Sequence, residues 1–351
     1  MPTKRRVLTA DGAGRIAVIE DEVKDPGPGE IAIEVRASMV SPGSELGRIP
    51  QRRTNPTDAA PRSFGYSNAG VITACGSGVE GLEPGVRVAC MGGGYAEHAT
   101  HAVVPQNLAV PIPVGVSDED ASSIHLVATA LNAVRRMVPE IGEYVAVVGL
   151  GLVGQFSLQW ARASGCHVMG IDRMGLRLQI AEACGTGDLV NASEQDPREL
   201  IGEFTRGRGL DAGIIAFGGD GTGALVLLAD CVKRAPDTHR MGRVVIVGGA
   251  RIDHVFAAAL GNLDVRSAAR TGPGYHDEAW EKGADYAPVF VRWDTRRNLE
   301  ECLRFMASGH IQVDSMITHR VSLDDAPDAC EILIQTPTEA LGVVFLPGGG
   351  S

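Results

Sequence analysis

Several features are missing from this sequence, and each absence argues against a class of protein. None of the 351 residues lies in an apolar run that approaches the roughly 18 residues of a membrane-spanning helix. Basic residues are in deficit, with 32 Lys and Arg against 43 Asp and Glu, so the net charge of −11 disfavours nucleic acid or an anionic membrane as partner. The basic stretch Lys4-Arg5-Arg6 is not followed by the apolar segment of a signal peptide, and we expect it to be solvated.

Closely spaced cysteine pairs are absent as well. The seven cysteines are scattered, form no CxxC pair, and in several cases lie inside apolar segments. That distribution is typical of reduced, buried thiols rather than of a disulfide framework. We therefore expect a cytoplasmic protein.

What the sequence does contain is a segment, from Tyr144 to Asp172, with the order of a dinucleotide-binding unit. An apolar run leads into Gly149-x-Gly151-x-x-Gly154, then an amphipathic stretch, a second apolar run and an acid. The three glycines in turn permit a tight turn, the approach of a diphosphate, and close packing of helix on strand. The diphosphate would lie at the helix N-terminus.

The acid at the end of this segment bears on the choice of nicotinamide cofactor. A carboxylate at Asp172 accepts hydrogen bonds from a free ribose hydroxyl but repels a 2′-phosphate, which favours NAD over NADP. Arg173 and Arg177 leave NADP open, because a guanidinium there can pair with the phosphate. The residues predicted to bind the cofactor are Gly149, Leu150, Gly151, Leu152, Val153, Gly154, Asp172, Arg173, Arg177, Phe217, Gly218, Val247 and Gly248.

The pattern of short elements divides the chain into two kinds of structure. Up to about residue 120, short β-like runs alternate with turn signals, which indicates an all-β arrangement. Helices then alternate with apolar strands, which predicts a doubly wound parallel sheet. We expect a β-rich domain from residues 1–122 and 290–351, with a Rossmann domain of residues 123–289 inserted between its halves.

Several motifs, in order, resemble the medium-chain dehydrogenase/reductase family over essentially the whole chain. They are PGPGEIAIEVRAS, EPGVRV, GLGLVG with IDR, GRVVIVGG and ITHRVSLDDAPDACEIL. The resemblance implies an α/β protein in which a GroES-like β-rich catalytic domain accompanies the Rossmann domain. It also implies that the cofactor lies in the cleft between the domains and that catalytic residues come from the first 130 positions.

The sequence departs from the zinc-dependent alcohol dehydrogenases of that family at each metal position. Ser41 stands in the Cys slot and Leu46 near the His slot, while Gly65-Tyr66-Ser67 replaces Gly-His-Glu. His125 falls near the third position, and one imidazole cannot supply the three protein ligands of a catalytic zinc. The four-cysteine lobe that binds structural zinc is missing too, so we expect no zinc.

Hydroxyl groups would then have to stabilise the reacting oxygen in place of the metal. Tyr66 is the first choice, with Ser41 and Ser44 supplying further hydroxyls, although a Tyr that only fills the cleft remains an alternative. Glu45 could accept a proton or bind a substrate hydroxyl, or simply be solvated. His125 could relay a proton or be a core histidine. His98 and His101 are interpreted as structural.

A second resemblance concerns SPGSELG and GPGYHDEAWEKGADYAPVFVRWDTRRN, which look like a zinc-free branch of the family. That branch is related to bacteriochlorophyllide dehydrogenases and to oxidoreductases of sugar, polysaccharide and secondary-metabolite biosynthesis. The late segment mixes aromatic and charged residues, which suits a polyhydroxylated or anionic ligand, unless it is a surface loop or a dimer contact. Ser44, His276, Arg292 and Trp293 are the predicted substrate-binding residues.

Together these observations predict a zinc-independent, NAD(P)-dependent oxidoreductase that interconverts a secondary alcohol and a ketone on a hydroxyl-rich small molecule, with sugar, cyclitol and tetrapyrrole substrates all open. We also expect a homodimer. One alternative is an NADPH-dependent reductase of a polarised C=C bond of the quinone or enoyl type, against which Asp172 speaks mildly. The other is a non-catalytic nucleotide-binding protein.

Overall fold

The computed structural model describes residues 3–348, which form α-helices and β-strands in two compact units. The strands are β1 (Thr3–Ala10), β2 (Ile16–Val23), β3 (Glu30–Met39), β4 (Arg62–Ser63), β5 (Ser67–Cys75), β6 (Arg87–Met91), β7 (His101–Pro105), β8 (Ala109–Pro111), β9 (Tyr144–Val148), β10 (His167–Asp172), β11 (Asp188–Asn191), β12 (Ala212–Ile215), β13 (Gly219–Asp220), β14 (Met241–Val247), β15 (Ala250–Arg251), β16 (Asn262–Ala268), β17 (Ile317–Ser322) and β18 (Gly342–Leu346). The helices are α1 (Ile49–Thr54), α2 (Asp118–Ala121), α3 (Ile124–Met137), α4 (Leu152–Ala163), α5 (Gly175–Ala183), α6 (Pro197–Phe204), α7 (Thr222–Cys231), α8 (Glu278–Glu281), α9 (Thr295–Ala307) and α10 (Ala326–Gln335).

The first unit, residues 3–128, 271–309 and 316–348, is rich in β-structure. Its main sheet has the order β17-β18-β3-β5-β6-β8, with β7 also paired to β3, and a smaller sheet has the order β2-β1-β4. Strand β3 shows why these residues form a half-buried strand, because Ile31, Ile33 and Val35 alternate with more exposed neighbours and point to one face. The expected GroES-like β-rich domain is confirmed.

The second unit, residues 129–270 and 310–315, contains a six-stranded sheet in the order β11-β10-β9-β12-β14-β16. Neighbouring strands in it are parallel. Strands β9 and β10 are apolar on both faces because helices cover a parallel sheet on both sides. Between β9 and β12 the order of connection reverses, and such a switch point is where doubly wound sheets bind ligands. The expected Rossmann domain is confirmed.

The domain boundaries differ from those expected. Residues 271–289 pack in the first unit rather than with the parallel sheet, and the first division falls inside α3, after Ala128. The Gly93 amide donates to the Tyr275 hydroxyl at 2.7 Å, and the Tyr95 hydroxyl donates to Glu281 at 3.1 Å. Local turn signals could not show these long-range bonds. The outermost residues of the expected first domain, 1–2 and 349–351, lie outside the described range.

Two further features concern residues 3–348. Within this range no helix combines the length and the apolar character needed to cross a bilayer. The seven cysteines form no disulfide there. Burial raises the pKa of the Cys166 thiol to about 11, which keeps that group protonated at neutral pH.

Candidate functional site

The glycine loop of the second unit is shaped by three close approaches. Gly149 directly follows β9 and has φ +90°, and a Cβ there would lie 2.8 Å from the Phe217 ring. A Cβ at Gly154 would lie 1.9 Å from the Gly149 carbonyl oxygen, so helix and turn touch as expected for this motif. At Gly151, by contrast, no other heavy atom lies within 4 Å of the added Cβ.

Helix α4 begins at this loop with Gly151 as its N-cap and without a capping side chain. Its first backbone N–H groups, in the turn of Leu152 and Val153, are therefore not satisfied by such a cap, and they carry the positive end of the helix dipole. Open space at Gly151 lies beside them. These residues fit the diphosphate of a dinucleotide.

The Asp172 carboxylate organises the same loop. Its Oδ2 accepts from the Leu150 amide at 2.6 Å, and its Oδ1 accepts from the Arg173 and Met174 amides at 2.7 and 2.9 Å. Arg177 approaches Oδ2 at 3.4 Å, while Arg173 is exposed. The acid predicted to bind the ribose thus also fixes the loop, a role that its place at the end of a strand did not reveal.

The other predicted cofactor residues follow the ends of neighbouring strands. Phe217 and Gly218 come after β12, and Val247 is the last residue of β14. Gly248 has φ +98°, and a Cβ there would lie 3.5 Å from the Phe217 carbonyl oxygen. The carboxyl edge of the sheet therefore brings Gly149, Phe217 and Gly248 together.

In the first unit, a turn of π-helix over Pro42–Leu46 places Ser41 and Glu45 against each other. The Glu45 amide donates to the Ser41 carbonyl at 3.0 Å, and the Ser41 amide donates to Glu45 Oε2 at 2.7 Å. Glu45 is buried, with its side chain 4% exposed. The expectation that Glu45 could be a solvated loop residue is wrong, because the turn folds its carboxylate inward.

Tyr66 lies beside this turn. Gly65 has φ +121°, and a Cβ there would lie 2.4 Å from the His98 amide nitrogen, so only glycine allows the approach. The side chains of Ser41 and Ser44 hydrogen-bond the Tyr66 hydroxyl. Burial, reinforced by the negative charge of Glu45, raises the pKa of Tyr66 well above its usual range. The hydroxyl therefore keeps its proton at neutral pH.

His125 packs on the Tyr66 ring, with centroids 4.3 Å apart. Its Nδ1 lies 3.2 Å from the Tyr66 carbonyl oxygen, which can only accept, so Nδ1 carries the proton. Burial lowers the pKa of His125 to about 4, and the nearby His276 adds to this. The imidazole is therefore neutral at pH 7, which suits it to hold Tyr66 rather than to donate protons.

Two residues of the late segment complete the cluster. The Tyr275 ring lies 5.8 Å from His125, edge on, and His276 stacks on Tyr275 at 3.9 Å. His276 adopts φ +76°, which is strained for a non-glycine residue, and its amide donates to the buried Glu281 at 2.8 Å.

The structure brings six of the predicted site residues of this unit together, and the other two meet each other in a separate contact. Those together are Ser41, Ser44, Glu45, Tyr66, His125 and His276. Arg292 and Trp293 instead take part in a cation–π group, in which the Arg297 guanidinium lies 4.0 Å from the Trp293 ring centroid. The sequence analysis did not single out Tyr275 as a site residue, although its place beside His276 was a usable signal. It also gave His98 no role in the site.

The positions aligned with zinc ligands do not carry a ligand set. Ser41, Tyr66 and His125 are neighbours, but two of them offer only neutral hydroxyls. Leu46 lies in an apolar cluster with Ile49 and Cys330. No group of three or more His, Cys, Asp or Glu side chains suited to a metal occurs among residues 3–348. The residues present do not fit a catalytic zinc.

Comparisons with known proteins cover both units. Residues 27–114 match a family model described as alcohol dehydrogenase GroES-like domain, and residues 153–285 match one described as zinc-binding dehydrogenase. The chain is 26% identical to sorbitol dehydrogenase of Bacillus subtilis, over 99% of this chain and 98% of that protein. It is 23% identical to quinone oxidoreductase 1 of Escherichia coli, over 98% and 100%.

A solved structure supports the fold. It is an Escherichia coli oxidoreductase/dehydrogenase of unknown specificity, which matches with a TM-score of 0.80 and 17% identity, over 98% of this chain and 99% of that one.

Proposed function

The chain belongs to the medium-chain dehydrogenase/reductase family and is an NAD(P)-dependent oxidoreductase, and from that premise we propose that it interconverts a secondary alcohol and a ketone on a hydroxyl-rich small molecule without zinc. The observation that carries the proposal is the Tyr66 hydroxyl, which is hydrogen-bonded by Ser41 and Ser44, since the family resemblance gives Tyr66 and Ser41 the positions of metal ligands. A donor set of this kind can serve the reacting oxygen where a Lewis acid is lacking.

The chemistry assigned to these residues is proton handling at the substrate oxygen. A bound nicotinamide ring supplies or accepts the hydride. The Tyr66 hydroxyl is protonated at neutral pH, so it can donate a hydrogen bond to the ketone oxygen and then its proton to the more basic alkoxide as that forms. Ser41 and Ser44, which hydrogen-bond the same hydroxyl, orient it and can stabilise it once the proton has left.

The proposed substrate class follows from what surrounds Tyr66. Ser44, Glu45 and His276 offer hydroxyl, carboxylate and imidazole groups, which hydrogen-bond alcohol groups well. The buried carboxylate of Glu45 disfavours an anionic substrate. The similarity to a sorbitol dehydrogenase supports a neutral polyol, sugar or cyclitol.

We propose NAD as the preferred cofactor. Asp172 stands beside the expected ribose position with a carboxylate that would repel a 2′-phosphate. Arg177, 3.4 Å from Asp172, neutralises part of that charge, so NADP should bind more weakly rather than not at all.

The homodimer also stays a proposal, which sedimentation equilibrium would test.

Reduction of a polarised C=C bond is the second candidate, because the chain matches a quinone oxidoreductase over nearly its full length. The non-catalytic alternative has no observation in its favour. A screen separates all three: purified protein is mixed with NAD⁺ or NADP⁺ and neutral polyols, or with NADH or NADPH and sugars, quinones and enones, while nicotinamide absorbance is followed. Turnover of polyols supports the proposal, turnover of enones or quinones alone supports the second candidate, and none at all supports the third.

A matched pair of variants ties turnover to the site. Tyr66→Phe removes only the hydroxyl and should lower kcat by about ten- to a thousandfold while cofactor affinity holds. Tyr144→Phe is the control, since Tyr144 begins β9, at the opposite end of that strand from the glycine loop, and stacks on His167. Parent-like turnover by Tyr66→Phe would contradict the proposed proton donor.

A further inference from the structure

His98 is a fully buried polar side chain that the proposed chemistry does not yet use. It lies three residues before β7. Its ring is edge-on to the rings of Phe64 and Phe345, with centroids 5.6 and 5.0 Å apart. Two aromatic rings thus restrict its orientation. A buried histidine held this way keeps its hydrogen bonds in one geometry.

Both ring nitrogens of His98 have defined partners. Nδ1 lies 3.0 Å from the Ser38 hydroxyl and Nε2 lies 3.3 Å from Glu45 Oε2. A carboxylate oxygen accepts, so Nε2 carries a proton and donates to Glu45, while Nδ1 pairs with the Ser38 hydroxyl. Ser38, His98 and Glu45 therefore form a directed line of hydrogen bonds that ends at the turn carrying Ser41.

Only one of the two carboxylate oxygens of Glu45 is hydrogen-bonded within the described part of the chain. Glu45 Oε2 accepts from His98 and from the Ser41 amide, whereas Oε1 has no hydrogen-bond partner among residues 3–348. Leaving a charged oxygen buried without a donor is costly, and native proteins rarely do so without a reason. The charge of the Glu45 carboxylate helps to raise the pKa of Tyr66, so the carboxylate is near the proposed proton donor.

We propose that His98 is a positioning residue of the site, which fixes Glu45 through Oε2 so that Oε1 is left to accept a hydrogen bond from a second hydroxyl of the substrate. The proposal rests on the proposed function, since it assigns a partner within that same site. It narrows the substrate class to molecules that carry a further hydroxyl near the reacting carbon.

The kinetic test uses the fastest substrate from a panel of sorbitol, xylitol, ribitol and myo-inositol with NAD⁺. His98→Asn and Glu45→Ala should each raise KM about ten- to a hundredfold with less change in kcat, because a bond to a charged acceptor is lost in ground and transition state alike. The double variant should resemble Glu45→Ala alone, since His98 acts only through Glu45. Additive effects would overturn the positioning role.

Two companion variants separate positioning from packing. His98→Gln can extend an amide N–H toward Glu45, so its KM should lie between those of His98→Asn and the parent protein. His98→Asn reaches only toward Ser38. His101→Asn is the matched control on the same segment, and it should leave KM unchanged. Equal KM for His98→Asn and the parent protein, with only the melting temperature lowered, would show that His98 merely fills space.

A second readout needs no substrate. In long-range ¹H–¹⁵N spectra of histidine-labelled protein, the His98 signals, assigned by their loss in His98→Asn, should show a proton on Nε2. They should shift in Glu45→Ala and Ser38→Ala, while the His101 signals stay in place. Unmoved His98 signals would refute the contact itself. Failure of every panel member to react, with the His98 shifts present, would instead contradict the proposed function and with it the role of Oε1.

Discussion

Acid should destabilise the protein through His125, and replacing this residue should remove that sensitivity. Its pKa lies at about 4 in the folded chain because the ring is buried, against about 6.5 for a free imidazole. As the pH falls below 6.5, the unfolded chain binds a proton at this position while the folded chain does not. The free energy of unfolding therefore falls from pH 6.5 until about pH 4, where the folded chain also binds the proton.

The magnitude follows from the two pKa values. Their separation corresponds to about 3 kcal/mol of unfolding free energy lost between pH 6.5 and pH 4, and to no contribution above pH 6.5. His125→Asn has no titrating group there, so its own loss over this interval should be smaller by that amount. The variant should nevertheless be less stable at pH 7, because it loses the packing of the ring against Tyr66.

Urea unfolding of both proteins at several pH values between 4 and 7.5 measures this. Carboxylates titrate in the same range, but they do so in parent and variant alike and cancel in the difference. The difference in unfolding free energy between parent and variant should shrink steadily as the pH falls. A difference that stays constant from pH 7 to pH 4 would refute the reasoning about His125, and its imidazole would then be as well solvated as a surface one.

Three further outcomes are expected. Gly151→Val should keep the stability of the parent protein, because the space beside Gly151 is open, but it should lose affinity for NADH in calorimetric titration. Gly154→Ala should instead lower the melting temperature in thermal unfolding, because its methyl group would meet the Gly149 carbonyl. Tight NADH binding by Gly151→Val would contradict the assignment of the loop. Calorimetry should also show NADH binding more tightly than NADPH to the parent protein, and the reverse order would mean that Arg177 outweighs Asp172. Exhaustive chelation should leave turnover unchanged, and stoichiometric zinc whose removal abolishes turnover would contradict the argument from Ser41 and Tyr66.

The fold could be predicted where the signal is local. The apolar runs at β9 and β10, with the glycines between them, carry their own turn and packing chemistry, and the structure confirms the sheet they predict. The place of residues 271–289 could not be predicted, because it depends on bonds such as that from Gly93 to Tyr275, which join positions 182 residues apart. Such pairing leaves no periodic trace in either segment.

The candidate site shows the same limit. Tyr66 and Ser41 could be selected because the family resemblance gives their positions a known role, and Ser44 because it supplies a further hydroxyl on the same loop as Ser41. The Ser41 and Ser44 side chains do hydrogen-bond the Tyr66 hydroxyl. His98 could not be selected from the sequence, because the alternation of side chains along a strand predicts the face on which a side chain lies but not the residues that contact it. Only the π-helical turn at Pro42–Leu46, an uncommon element, brings Glu45 back to its imidazole.

The pairing of β18 with β3 has a consequence for the order of folding. Val344 and Phe345 lie opposite Met39 and Ser38, so this sheet joins two strands that are about 300 residues apart in the sequence. The parallel sheet is built within residues 129–270 and can form while synthesis continues. During synthesis, the edge of β3 that receives β18 must wait until residues 342–346 have emerged, with its amide and carbonyl groups open to other strands. A protein truncated before Gly342 should therefore aggregate while its nucleotide-binding unit is still able to fold.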